Sequence, residues 1–248
     1  MRGGVLAAVI VVAVVAFVGA AWFGLGYGLT RATGPVVSED RNVPAFTQVD
    51  VSGKGSLIIT QGDTPSLRIE AQQGVLDRLE TSVSGDTLRI EPRSHWFGFG
   101  AFRGSEPITY HLTVPDLEGL KLSGSVAVKG EGSFDAAEFV IECSGSSDVN
   151  LYVRADKVQV NSSGSSDITL AGRVDTVVFD SSGSTNIFAR GLASRIATVN
   201  CSGSSDIELS ASEQLNVDAS GSSTVSYVGN PVLNTNISGS GEVRQLSP

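Results

Sequence analysis

From residue 116 onward, apolar and polar residues alternate with a period of two, and the alternation restarts about every nineteen residues. Each restart carries Ser-Gly-Ser, with glycines at Gly124, Gly145, Gly164, Gly183, Gly203, Gly221 and Gly239, spaced by 21, 19, 19, 20, 18 and 18 residues. Six residues before the glycine stand Phe139, Val158, Val177 and Leu215; four before stand Ile141, Val160, Phe179 and Val199; four after stand Val149, Ile168, Ile187 and Ile207. The positions between are polar, among them Glu142, Asn161, Asp180, Asn200, Asp218 and Asn236, each three residues before its glycine. Strict alternation with β-branched residues marks strands that bury one face. A fixed period near twenty marks stacked repeats that bury their cores against one another. With no helical or leucine-rich pattern in the repeat, the prediction is an all-β chain: a single-stranded parallel β-helix of about seven coils over residues 116–248.

The repeated residues then have structural work. Glycine permits a backbone corner with φ > 0, and the flanking serines can hydrogen-bond the backbone there. The commonest extension, Ser-Gly-Ser-Ser-Asp, sets Asp148, Asp167, Asn186 and Asp206 in a ladder on the surface. Like charges one coil apart repel, so these four are candidate partner-contact residues; the nine-residue period of calcium-binding β-rolls is lacking, and no metal is expected. Cys143 and Cys201 fall at one inward position three coils apart. Three strand spacings are roughly 14 Å, beyond the ~7 Å Cα reach of a disulfide. Two free, buried thiols are therefore expected.

Upstream, residues 46–115 hold strand-like patches at 48–51, 56–60, 67–71, 79–83, 88–91 and 108–114, with a hairpin turn across Val83–Leu88. Val49, Val51, Gly53, Leu57 and Ile59 echo the offsets of the later coils, so this part reads as a degenerate start of the same column and an N-terminal β cap over its first edge. Residues 31–45, with prolines, glycine and charges, read as a linker. Residues 92–107 (PRSHWFGFGAFRGSEP) break the alternation. Trp96, Phe97, Phe99 and Phe102 there either plug the core or form an exposed loop that touches a partner.

Residues 1–30 are of another kind. Gly3–Thr30 holds no ionisable side chain except Tyr27 and exceeds the ~20 apolar residues of a membrane span. The reading is one transmembrane anchor, in contact with the membrane through residues 4–29. A signal peptide cut after Val18-Gly19-Ala20 is the competing one. Arg2 favours an inside N-terminus, which places the bulk of the chain outside the cell membrane of a bacterium, in the periplasm or beyond. Net charge is −9, or −10 over residues 31–248, which argues against nucleic acid as partner. No nucleophile elbow, phosphate loop, dinucleotide fingerprint or zinc-ligand spacing occurs, so neither catalysis nor a cofactor is expected.

The ordered set Phe46–Val51 with Ser52-Gly53-Lys54-Gly55, Ile59-Thr60-Gln61-Gly62-Asp63, Asp86-Thr87-Leu88-Arg89-Ile90, and Leu112-Thr113-Val114-Pro115 leading to Leu122-Ser123-Gly124-Ser125, followed by the Ser-Gly-Ser-Ser-Asp repeats, resembles the auto-transporter adhesin head GIN domain family over roughly residues 45–245. The resemblance implies a β-helical exported domain with an adhesive or surface role, and carries no catalytic residues over. The aromatic segment 92–107 departs from the family pattern, and no outer-membrane barrel segment follows the repeats. The expected function is a membrane-anchored module that binds protein or carbohydrate. A structural or envelope-sensing ectodomain is the alternative, and a polysaccharide-active enzyme the third reading. Only nine residues follow Gly239, so the last coil is expected to show an open edge on which copies could pair into a homo-oligomer.

Overall fold

The computed structural model describes residues 34–93 and 107–247. The anchor expected at residues 1–30 and the aromatic quartet Trp96, Phe97, Phe99 and Phe102 lie outside the described residues. Among the described residues, no helix is long and apolar enough to cross a membrane.

In chain order the elements are β1 (Val36–Arg41), β2 (Gln48–Gln61), β3 (Ser66–Gln72), a single-turn helix α1 (Gln73–Leu76), β4 (Leu79–Ser84), β5 (Thr87–Pro92), β6 (Thr109–Val114) and β7 (Gly119–Glu131). The repeats follow as β8 (Phe134–Gly145), β9 (Asp148–Gly164), β10 (Asp167–Gly183), β11 (Asn186–Gly203), β12 (Asp206–Gly221), β13 (Thr224–Val228), β14 (Val232–Gly239) and β15 (Glu242–Gln245). From β7 on, every pairing is parallel, and each glycine sits on the glycine of the coil before, as in Gly145↔Gly164 and Gly164↔Gly183. The chain is thus an all-β parallel solenoid of about seven turns with a period near nineteen, as its spacing predicts.

The predicted inward positions form the core. Phe139, Ile141, Val158, Val160, Phe179, Ile168 and Ile187 are wholly buried. Stacking, rather than the turn alone, explains the invariant glycine. Gly164 has φ +138°, and a Cβ built on it would lie 2.3 Å from the Gly145 carbonyl oxygen. That oxygen accepts the N–H of Ser165 at 2.8 Å, so each corner is hydrogen-bonded to the next through the space a side chain would fill. At the last coil the burial stops: every residue of β14 is exposed, and Leu233 and Ile237, at inward register, are about 40% accessible.

The column begins at β2, not at β7. β2 lies parallel to β7 from Gln48 to Thr60, with Gly53 on Gly124, so the echo of repeat offsets in this segment is a true coil. On its other face β2 carries β5 and β6, both parallel to it, which together form a further layer. In β2 the residues Ser52–Gly55 make the corner between Val51 and Ser56. In the layer beneath, pairing with β2 stops at Ile90, partner of Val51, and resumes at Thr109, partner of Ser56.

Antiparallel strands then close the end. β3 pairs with β6, β1 with β3, and β4 with β5 through a hairpin whose Gly85 has φ +60°. The segment 31–45, expected to be a linker, thus contains a strand. Its charges are misleading, because Val36–Arg41 alternates and its last residue is a structural pin. Arg41 is buried; it donates to the carbonyl oxygens of Leu79 (3.1 Å) and Leu76 (3.2 Å) and to the Thr81 hydroxyl, and pairs with Glu39 at 2.9 Å.

Candidate functional site

Each coil carries the same outward positions past its glycine corner, so the surface is a set of columns rather than a mosaic. The column three residues before the glycine runs Arg89, Asp50, Lys121, Glu142, then Asn161, Asp180, Asn200, Asp218 and Asn236, each in register with the next. No two like charges are adjacent in it. Arg89 lies 3.9 Å from Asp50, and Lys121 3.2 Å from Glu142. Further along, amides replace cations: Asn200 Nδ2 donates to Asp180 Oδ1 at 2.7 Å, and Asn236 Nδ2 to Asp218 Oδ2 at 3.4 Å. Each such bond leaves the Asn carbonyl oxygen and the second carboxylate oxygen as acceptors, with one amide N–H as donor.

This column and the serines directly before the glycines line an open groove of about 680 Å³ that runs from Lys121 to Asp218 and Ser220 across successive coils. Its floor is made by the next residue in, Cys143, Ser162, Ser181 and Cys201, which stack in one inward column. Glu142, Asn161 and Asp180 are half-buried along the wall, while Asn200 and Asp218 are exposed.

Under that floor lies a second polar row. Two residues after each glycine, Ser147, Ser166, Thr185, Ser205 and Ser223 are buried, and they meet the inward residue of the preceding coil. Ser162 Oγ is 3.0 Å from Thr185 Oγ1, and Ser181 Oγ is 2.8 Å from Ser205 Oγ. Cys201 faces Ser223, which bonds its sulfur. By the same offset Ser166 falls to Cys143 and Ser147 to Leu122, and the hydroxyls of Ser147 and Ser166 lack hydrogen-bond partners among the described residues. The thiols of Cys143 and Cys201 are free and buried. Burial pushes the Cys143 thiol up to about 12. It also raises that of Cys201, against which the Ser223 hydrogen bond acts.

Asp148, Asp167, Asn186 and Asp206 form the expected ladder, in consecutive register on the surface. All four are exposed and none lines the groove. Asn186 Nδ2 donates to Asp167 Oδ1 at 2.7 Å, so the like-charged pair Asp148–Asp167 is relieved on one side. Among the described residues, no group of three or more His, Cys, Asp or Glu is gathered around a point a metal ion could occupy. The groove column was visible in the sequence only as polar alternation. Its residue type varies from coil to coil, whereas the Asp after the glycine repeats and draws the eye. The signal that would have found it is the strict absence of two like charges in succession at that one offset.

The same fold is known in solved structures. A putative adhesin from Bacteroides fragilis NCTC 9343 superposes with a TM-score of 0.80 at 22% identity, covering 87% of this chain and 99% of the other. A putative lipid binding protein from Parabacteroides distasonis ATCC 8503 gives a TM-score of 0.65 at 20% identity, covering 86% and 98%. A putative adhesin from the same organism gives 0.60 at 19%, covering 87% and 98%. At these identities the likeness is one of fold. No curated protein matches the chain. The model of one family spans residues 45–231, most of the column and its cap, and on that match the chain belongs to the "putative auto-transporter adhesin, head GIN domain" family.

Proposed function

We propose that this chain is an exported, membrane-tethered adhesive module that acts by binding and not by catalysis. The observation that carries this reading is the groove. It extends over successive coils, and it is lined by amides, hydroxyls and carboxylates already bonded to one another. Such a surface offers many equivalent weak contacts, which suits attachment to a repetitive or extended partner. Within the groove's column the carboxylates of Asp180 and Asp218 are separated by Asn200, and each accepts an amide hydrogen bond. A general acid–base pair instead needs two carboxyls driven to opposite protonation states. The tether is residues 4–29, whose apolar length fits a bilayer and whose flanking Arg2 favours an inside N-terminus. Family membership supports a surface role, since the family is described as adhesin-like.

The test is retention of bacterial envelope fragments on beads that carry the full chain. The chain should hold fragments well above bare beads, and the double variant Asn161→Ala/Asn200→Ala should hold far fewer. Retention equal to bare beads, or release of soluble products from the fragments, would overturn the reading. Proteolysis of intact cells should remove the repeats from outside and leave the N-terminal segment in the membrane. Protection of the repeats would refute the location.

A further inference from the structure

We infer that the groove takes an uncharged, extended polysaccharide laid along the column axis, about one sugar ring per coil; this rests on the adhesive reading above. Three properties of the groove select that chemistry. The first is pitch. Equivalent side chains recur at the strand spacing of about 4.8 Å, a length close to the advance of one pyranose ring in an extended chain. An extended peptide repeats a given face every two residues, or about 6.7 Å, and falls out of step within two coils. Nor can a peptide add as a strand here, because the backbone of each groove-lining coil is paired on both sides, as β10 is with β9 and β11.

The second is hydrogen-bonding character. With Asn200 bonded to Asp180 and Asn236 to Asp218, the outward atoms are mainly acceptors. The serine hydroxyls beside them, at Ser163, Ser182 and Ser202, can donate or accept. Sugar hydroxyls, which come in adjacent pairs that donate as well as accept, match this lining. Asp180 and Asp218 are each flanked along the column by amides that can meet the neighbouring hydroxyl.

The third is charge. Among the described residues Lys121 is the groove's one cation, and Glu142 holds it 3.2 Å away. The remaining charges are Asp180 and Asp218. Phosphate or uronate polymers are therefore repelled, and a net-neutral chain is favoured.

The experiment is calorimetric titration of the full chain with neutral β-linked oligosaccharides from disaccharide to hexasaccharide. A uronic-acid oligomer and oligolysine serve as the anionic and cationic arms. Affinity should rise with each added ring and gain at least about tenfold from disaccharide to hexasaccharide. Asn200→Ala should weaken the hexasaccharide about tenfold, the upper end of what one lost hydrogen bond contributes. Asp167→Asn, on the ladder outside the groove, should leave binding unchanged. An unchanged urea midpoint for both variants shows that they fold. Affinity independent of length, equal or stronger binding of the uronate or oligolysine, or equal loss in both variants overturns the inference. If no oligosaccharide binds while envelope retention still depends on Asn161 and Asn200, the glycan inference is refuted and the adhesive reading stands. If neither occurs, both fall.

Discussion

The cap and the repeat column are built from the same strands but held by different means. In the column, neighbours in space are neighbours in sequence, about nineteen residues apart, and each coil copies the last. Its specific contacts are small and repeated: a glycine carbonyl accepting the next coil's amide, an inward hydroxyl meeting the next, and exposed bridges such as Arg154–Asp135 at 2.7 Å and Lys157–Glu138 at 2.7 Å. In the cap, strands from distant stretches meet in mixed directions, and one buried guanidinium joins four groups. Repetition spreads stability over many modest bonds, whereas an irregular end concentrates it in few. A defect in the column should therefore be severe only where it blocks stacking, and a defect in the cap wherever it removes a pin.

The largest effect is expected at a stacking glycine. Gly164→Ala places a methyl group 2.3 Å from a backbone oxygen in a conformation that side chains rarely adopt, and should cost about 4 kcal/mol. A thermal melt should then fall by about 10 °C for a chain of this size. A shift within about 2 °C would show that the coils can move apart, and would remove the contrast. Next comes Arg41→Met. It strands half-buried Glu39 and the carbonyls of Leu76 and Leu79, at about 3 kcal/mol in urea unfolding. Hydrogen exchange should show the loss concentrated in β1, β3 and β4. Uniform loss along the column would mean that cap and column are one cooperative unit.

The inner row sharpens the comparison with opposite signs. Ser181→Ala breaks the 2.8 Å bond to Ser205 and should destabilise by about 1–2 kcal/mol. Ser147→Ala removes a buried hydroxyl that has no partner and should stabilise by about 1 kcal/mol. Equal signs would refute the pairing rule between the inward residue of one coil and the second residue after the next glycine. The smallest effect concerns alkali. The folded-state pKa of Cys143 is raised above its unfolded value, so its contribution to stability is whole below pH 9 and declines as pH climbs toward 12. Burial raises Tyr110 as well, so the cap adds a decline of the same sign. Cys143→Ser should flatten this part of a stability–pH curve but leave the rest of the slope intact.

The column was legible because its determinants are local. Glycine, serine and alternating β-branched residues recur at fixed offsets, and each offset has one structural meaning. Gly53 could be placed in the same register from Val49 and Ile59 alone. The cap was legible as strands but not as an arrangement. That β5 and β6 would lie beneath β2, with the chain then passing over β2 to β7, depends on which edge was free, and no residue pattern encodes that. Arg41 looked like one more linker charge because its partners, Leu76, Leu79 and Thr81, lie 35–40 residues away. The groove was hidden for a further reason. Asp180 and Asn200 look like ordinary solvent-facing alternation until stacking sets them side by side over a floor of serine and cysteine.

The order of layers has a consequence for how the chain assembles as it emerges N-terminus first. The coils after β7 can each dock on the one before as soon as about nineteen residues emerge. β2 must instead wait for β7, and its Ser52 meets Ser123 at 2.7 Å only after a separation of 71 residues. Closing the longer loop costs about 1 kcal/mol more than closing a single repeat, which is small. The larger penalty is time, since β2 stands with both edges unpaired until the cap and β7 have followed it. On the proposed N-terminal tether, that exposed strand would stay at the membrane surface while the rest is still arriving. The first coil to emerge is thus completed only once β7 has followed it, and the delay falls where a neighbouring copy's unpaired β2 would be the nearest competing partner.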